Sequence, residues 1–269
     1  MAITTQDGLI SALGAAQRLQ WVKANVTSVA GRMTSLWSGA GQPGVGSTTL
    51  GQAAAGAVST SADTGAMPFT NPGSGNSYLG KVSGVSAADG HIVIWDVLWV
   101  WGSGGSGWVV TTTTAQNTTS PAALTRPDAN GSGAEAWLEV LSTMGAGSAT
   151  PVLSYTNPAG SSGRTTGTMG YVAASVTGSM YNFPLQAGDT GIKTVQSLTT
   201  SVSMTSGTAR VIIARRIAEL PCRANIGFNY DAYDLGMPRV YDSASMLVSI
   251  VPTSTSSGPT MVRADLIQG

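Results

Sequence analysis

The sequence predicts a mainly β protein, in which an antiparallel β-sandwich or jelly-roll-like body follows an N-terminal short helix and an extended arm. Hydrophobic residues make up 42% of the chain, but they occur in short runs separated by turn-forming residues, including many of the 35 glycines. The runs are rich in Val and Thr, which suit a pleated strand, while Gly supplies the positive φ of tight turns. Many short strands joined by tight turns are typical of a sandwich.

Residues 5–37 differ from the rest of the chain. Apolar residues recur at roughly helical spacing between Leu9 and Leu36, and Asp7 or a neighbouring threonine can cap the start of a helix. Glycines interrupt this spacing, so two short helices and an extended arm both fit it. Residues 28–37 are the better helical half.

Residues 38–72 are rich in Gly, Ala and Ser and are too poor in large apolar side chains to form a core alone. This composition fits a flexible linker. It also fits an ordered strap laid over a neighbouring subunit, because small side chains permit close backbone approach. We therefore divide the chain into an N-terminal arm, residues 1–72, and a β-sandwich body, residues 73–269.

Eleven strands are predicted in the body from apolar runs that lie between turn residues. The clearest hairpin joins residues 192–203 to residues 208–217 through a turn at Ser206-Gly207. The predicted strands cover 77–84, 91–101, 108–114, 134–143, 151–155, 167–177, 180–186, 192–203, 208–217, 243–251 and 260–267.

The charge of the chain argues against electrostatic partners. Thirteen basic and thirteen acidic residues give zero net charge, so no excess field attracts nucleic acid or an anionic membrane. Zero net charge also favours self-association.

Cys222 is the single cysteine, so we expect neither a disulfide within the chain nor a cysteine-rich metal site. We expect no signal peptide and no membrane helix, because the N-terminus lacks a basic region and the longest apolar run, 92–101, is too short.

Two patterns resemble catalytic or cofactor motifs without their context. Residues 102–107, GSGGSG, match a dinucleotide-binding pattern, but a strand-like sequence follows where that motif needs a helix. A hairpin loop is the favoured interpretation. His91 is the only histidine and no G-x-S-x-G elbow occurs, so we expect it at a surface edge of a strand rather than in a catalytic triad.

Two pairs of carboxylates have the spacing of a glycosidase pair. Glu135 and Glu139 share a face of one predicted strand, and Asp231 lies close to Asp234. Neither pair has a distinguishing context, so ion pairing with arginine or solvation is favoured. The sequence predicts no catalytic, cofactor-binding or metal-binding residues, and we do not expect an enzyme.

The run HIVIWDVLWVWG is the most hydrophobic feature of the chain. Trp95, Trp99 and Trp101 fall on one parity of the strand, and apolar residues also fill the other parity. Burial of both faces is therefore favoured, with a subunit interface or a sugar-stacking platform as alternatives. Asp96 within this run needs a partner if it is buried, and an arginine is the obvious candidate.

Four segments together resemble structural proteins of tailed bacteriophages. The likeness touches most of the chain from residue 28 onward and does not carry a known chemical mechanism. The segments are GRMTSLWSGAGQPGVGS (31–47), ALTRPDANGSGAEAWLEV (123–140), LQAGDTGIKTVQSLTTS (185–201) and LGMPRVYDSASM (235–246).

The resemblance implies a virion component, specifically a capsid decoration or cement protein that is made in the host cytoplasm and lies on the capsid surface. Its implied partners are the major capsid protein and further copies of itself, as a homotrimer at a three-fold axis, with the arm running over adjacent capsid subunits. A head fibre, a tail or baseplate adaptor and a carbohydrate-binding fibre module are the alternatives. The candidate interface residues are Arg32, Leu36, Trp37, Trp95, Trp99 and Trp101.

Overall fold

The computed structural model describes residues 3–269 and is mainly β, with antiparallel sheets and a short N-terminal helix, so the predicted fold class is confirmed. The helices are α1 (Gln6–Gly14) and α2 (Ala232–Leu235). The strands are β1 (Gln17–Lys23), β2 (Thr34–Ser35), β3 (Gly41–Gln42), β4 (Ala57–Val58), β5 (Ser77–Ser86), β6 (Gly90–Gly102), β7 (Gln116–Asn117), β8 (Glu135–Ser142), β9 (Pro151–Thr156), β10 (Arg164–Thr165), β11 (Met180–Phe183), β12 (Thr194–Thr200), β13 (Thr208–Cys222), β14 (Phe228–Tyr230), β15 (Arg239–Val240), β16 (Ser245–Pro252) and β17 (Thr260–Gln268).

Three sheets build the body. The seven-stranded sheet has the order β11-β8-β13-β6-β16-β2, and β4 also pairs with β6. The six-stranded sheet has the order β14-β5-β17-β1-β3 with β15 on β5, and the four-stranded sheet has the order β10-β9-β12-β7. Both smaller sheets pack on the same face of the seven-stranded sheet, one over each end of β6, and each contact encloses its own apolar cluster.

A bulge in β6 decides which face each tryptophan of this strand occupies. Leu98 has no partner on β13, because the residues on either side of it pair with consecutive residues of that strand. The bulge reverses the alternation of side chains. Trp95 therefore lies on one face, and Trp99 and Trp101 lie on the other, against the four-stranded sheet. The prediction of one shared face is wrong, whereas burial of both faces of the strand is confirmed.

Residues 33–67, which we call the strap, cover the remaining face of the seven-stranded sheet. Trp37 of the strap shares an apolar cluster with Trp95, and its indole Nε1 donates a hydrogen bond to the Thr64 carbonyl oxygen at 3.2 Å. Glycine allows this close packing: a Cβ on Gly46 would lie 2.3 Å from the Trp37 ring, and one on Gly65 would lie 2.6 Å from it. The strap is thus ordered by packing on its own chain.

Of the two alternatives for residues 28–37, the helix does not form. Thr34 and Ser35 instead form β2 on the edge of the seven-stranded sheet beside β16. The division at residue 72 does not separate an arm from a body, because β1 lies between β17 and β3 inside the six-stranded sheet. The apolar spacing of this region serves two buried faces, one of β1 and one of the strap, rather than one helix.

Nine of the eleven predicted strands have counterparts in the structure, and two do not. Residues 108–114 and 167–177 form turns and irregular segments, although both are rich in Thr, Val or Tyr. The predicted hairpin is also wrong: β12 belongs to the four-stranded sheet, whereas β13 belongs to the seven-stranded sheet. The chain crosses from one layer of the sandwich to the other at this turn, so the two strands face each other across the core.

Candidate functional site

A buried ion pair holds the strap region and the seven-stranded sheet together. Arg126 Nε lies 3.0 and 3.1 Å from the two carboxylate oxygens of Asp96, and Arg126 Nη2 donates to the Ser59 and Val97 carbonyl oxygens. Burial raises the pKa of Asp96, and the Arg126 guanidinium opposes that shift. The expectation that Asp96 pairs with an arginine is confirmed.

The four carboxylates with the spacing of glycosidase pairs have structural partners. Glu139 is fully buried and pairs with Arg210 at 2.5 Å, while Glu135 pairs with Arg216 at the surface. Asp231 and Asp234 form a reciprocal cap at the start of α2. The favoured interpretation of ion pairing is therefore confirmed for the two glutamates, whereas the two aspartates serve a helix cap.

Asp189 joins three parts of the four-stranded sheet and its loops. Its carboxylate accepts hydrogen bonds from the Tyr155 hydroxyl at 2.6 Å, the Asn157 amide at 2.7 Å and the Arg164 guanidinium at 2.9 Å. The Arg164 hydrogen bond, followed by those from Tyr155 and Asn157, lowers the pKa of Asp189 to about 2. The charged carboxylate is therefore the form that this site stabilises.

We expect Asp189→Asn to destabilise the protein at pH 6, with a deficit that shrinks as the pH falls toward about 2. A carboxyl whose pKa is lowered by folding contributes stability above its unfolded pKa and loses it as it becomes protonated. Thermal unfolding of wild type and variant across this range measures the difference, in which the contributions of other carboxylates cancel. A deficit that is constant with pH would contradict the assignment.

His91 and the glycine-rich segment show no catalytic arrangement. His91 is exposed near the start of β6, and its Nδ1 lies 3.5 Å from a Glu219 oxygen. Gly102 ends β6 and residues 103–107 form the loop after it, and no helix begins directly after this loop. Within residues 3–269, no three side chains of His, Cys, Asp or Glu are grouped as metal ligands would be. Over the same residues, neither helix has the length and apolar character needed to cross a membrane.

Five of the six candidate interface residues lie in the core. Leu36, Trp37, Trp95, Trp99 and Trp101 are each at most 2% exposed. They cannot contact a partner or stack on a sugar in this conformation, because sheets or the strap cover both faces on which they lie. Their burial corrects the prediction that they form a contact surface. Arg32 is the member of the set that remains partly exposed.

Arg32 lies in a groove of about 450 Å³ beside the edge strand β11. Its guanidinium carbon is 5.0 Å from the centre of the Tyr181 ring. Among the described residues, no carboxylate lies within ion-pair distance of this guanidinium. Met33 and Val251 are the partly exposed apolar residues that line the groove. The other large apolar lining residues belong to the core and are at most 7% exposed; they are Met169, Met180, Trp137 and Tyr181.

The backbone around Arg32 is fixed on both sides. Gly31 has a φ of 73° and donates its N–H to the Pro252 carbonyl oxygen, and Arg32 donates to Val29. The Met180 N–H donates a hydrogen bond to the Met33 carbonyl oxygen rather than to a carbonyl oxygen of β8. Because strand residues alternate, the backbone groups of Asn182 also point away from β8, toward the groove. The groove therefore combines a cation, apolar walls and free hydrogen-bonding groups of a strand edge.

No family model, curated protein or solved structure matches this chain. The chemistry of the groove itself indicates what it can bind. A guanidinium stacked on an aromatic ring keeps its edge free for a bidentate carboxylate contact. A flexible methionine side chain such as that of the partly exposed Met33 adapts to varied apolar side chains. This combination is suited to binding an acidic and apolar protein surface.

Sequence analysis did not identify the groove. Its walls come from the strap, β8, β11 and the irregular segment around Met169, which are far apart in the chain. Arg32 itself was found only through the phage-like segment that contains it. The one local signal was an arginine followed by a methionine in a region of low charge.

Proposed function

We propose that this chain is a structural protein of a tailed-bacteriophage virion, which binds the expanded capsid shell as a decoration protein. Its partners are the major capsid protein and further copies of itself. It acts through the surfaces that it buries against neighbours and performs no bond-making chemistry.

The composition of the Arg32 groove is the observation that carries the binding role. The residues that line it include no Asp, Glu, His or Cys, so it offers a cation and apolar walls without a general acid, a general base or a nucleophile. The interior carboxylates Asp96 and Glu139 are held by arginines and serve the fold. The phage-like segments supply the virion context, and the groove supplies the mode of action.

The test is addition of the purified chain to expanded empty capsids of the phage, followed by sedimentation of the shells. We expect saturation at a fixed number of copies per capsid and a higher melting temperature of the loaded shells, because a ligand that binds only the expanded lattice stabilises it by mass action. Unexpanded shells are the matched control and should bind less. Expanded shells that sediment without the chain at saturating concentration would overturn the proposal.

A further inference from the structure

The N-terminal helix presents an exposed face that nothing in the chain covers. α1 lies against β17, and Leu9 and Leu13 are partly buried there. Asp7, Ile10 and Ser11 are exposed and lie on the opposite face, since they are separated by three and four positions. Ile10 is 60% exposed. This face therefore offers one carboxylate and one large apolar side chain about one helical turn apart.

The charges of the helix and the groove are complementary. α1 carries Asp7 and no basic residue, and no cation lies within ion-pair distance of this carboxylate among the described residues. Arg32 in the groove has no carboxylate partner. The exposed isoleucine likewise lacks an apolar partner, whereas the groove presents the partly exposed apolar side chains of Met33 and Val251 beside Arg32.

We propose that the exposed face of α1 in one copy docks in the Arg32 groove of a second copy. Asp7 pairs with the Arg32 guanidinium, and Ile10 packs against Met33 and Val251. The inference rests on the proposed assembly function and names the contact between copies. The two surfaces are different, so the contact is heterologous, and a closed ring of copies satisfies every helix and every groove.

Self-association of the full chain tests this contact. Sedimentation velocity over a range of concentrations should give a reversible oligomer of wild type. Asp7→Arg and Arg32→Glu should each weaken association by about tenfold or more, because each places like charges opposite one another. The double variant, Asp7→Arg with Arg32→Glu, restores the pair with reversed sign and should regain most of the affinity.

A second pair of variants tests the apolar half of the contact. Ile10→Asp should weaken association, since it removes the side chain that fills the groove. Ile226→Asp is the matched control, because Ile226 is 57% exposed and lies outside both surfaces. It should leave association unchanged. All of these positions are exposed or partly exposed, and circular dichroism checks that each variant is folded.

Three results would overturn the inference: a wild-type chain that stays monomeric at every concentration, single charge variants that associate normally, or a double variant that is not rescued. If Arg32→Glu abolishes capsid binding but leaves self-association intact, the groove holds a capsid segment and the inference is wrong. Capsid addition by a chain that does not self-associate would leave the proposed function standing. A chain that self-associates but does not bind capsids would contradict the proposed function and leave the contact between copies intact.

Discussion

Replacing Arg126 with methionine is expected to lower the free energy of unfolding by about 3–5 kcal/mol at pH 7, because it leaves a buried carboxylate without its counter-ion. Asp96 is fully buried, and its remaining polar contact is the Ser245 N–H at 3.1 Å. Burial already raises the pKa of Asp96, and loss of Arg126 removes the main opposing influence. The deficit should therefore grow with pH, since a raised pKa in the folded state means that stability is lost as the carboxyl ionises.

The double variant Asp96→Asn with Arg126→Met is the control for this prediction. It removes both charges while both variants share the loss of the Arg126 bonds to the carbonyl oxygens of Ser59 and Val97. We expect it to recover a large part of the lost stability, because a neutral amide costs less to bury than an unpaired carboxylate. Urea unfolding at pH 7 and pH 5 measures both effects. A single variant that loses less than about 1 kcal/mol would show that the pair is not the buried cross-link described above.

Replacing Trp37 with alanine is expected to cost about 3–5 kcal/mol, as for other buried aromatic residues. Trp37 is 1% exposed, and the Arg210 guanidinium lies 4.0 Å from the centre of its ring. Loss of the ring opens a cavity under the strap and admits water to the buried pair between Arg210 and Glu139. Thermal unfolding measures the loss of stability. Trp37→Phe keeps a ring over Arg210 but loses the hydrogen bond to Thr64, so its cost should be clearly smaller.

A pair of glycine variants separates strap packing from general stability. Gly46→Ala places a methyl group against the Trp37 ring, whereas a Cβ on Gly44 meets nothing within 4 Å. We expect thermolysin to cleave the strap faster in Gly46→Ala than in wild type, and at the wild-type rate in Gly44→Ala. Thermolysin is used because the strap contains no Lys or Arg at which trypsin could cleave. Equal cleavage of the two variants would contradict the strap packing.

Sequence patterns predicted the parts of this fold that depend on local chemistry. The long strand at Trp95, its burial on both faces and the arginine partner of Asp96 follow from a run of apolar residues that encloses one charge. The same pattern could not reveal the bulge at Leu98, because an extra residue in a strand is set by its pairing with β13. The separation of Trp95 from Trp99 and Trp101 was therefore missed.

The prediction for the N-terminal region was wrong for a different reason. Composition alone does not distinguish a flexible segment from one whose small residues pack against a ring, as Gly46 and Gly65 do against Trp37. That difference depends on a sheet built from residues far along the chain. The Arg32 groove is also formed by residues that are far apart in the chain. The tryptophans and the leucine predicted as interface residues are hydrophobic enough for either an interface or a core. In this fold they lie in the core.

The location of the chain in the mature particle tests the central claim most directly. A cryo-electron microscopy map of the intact phage is expected to show the three-sheet body on the outer surface of the head, in a copy number fixed by the capsid lattice. Finished particles that lack the chain, with the protein found free in infected cells, would contradict the account.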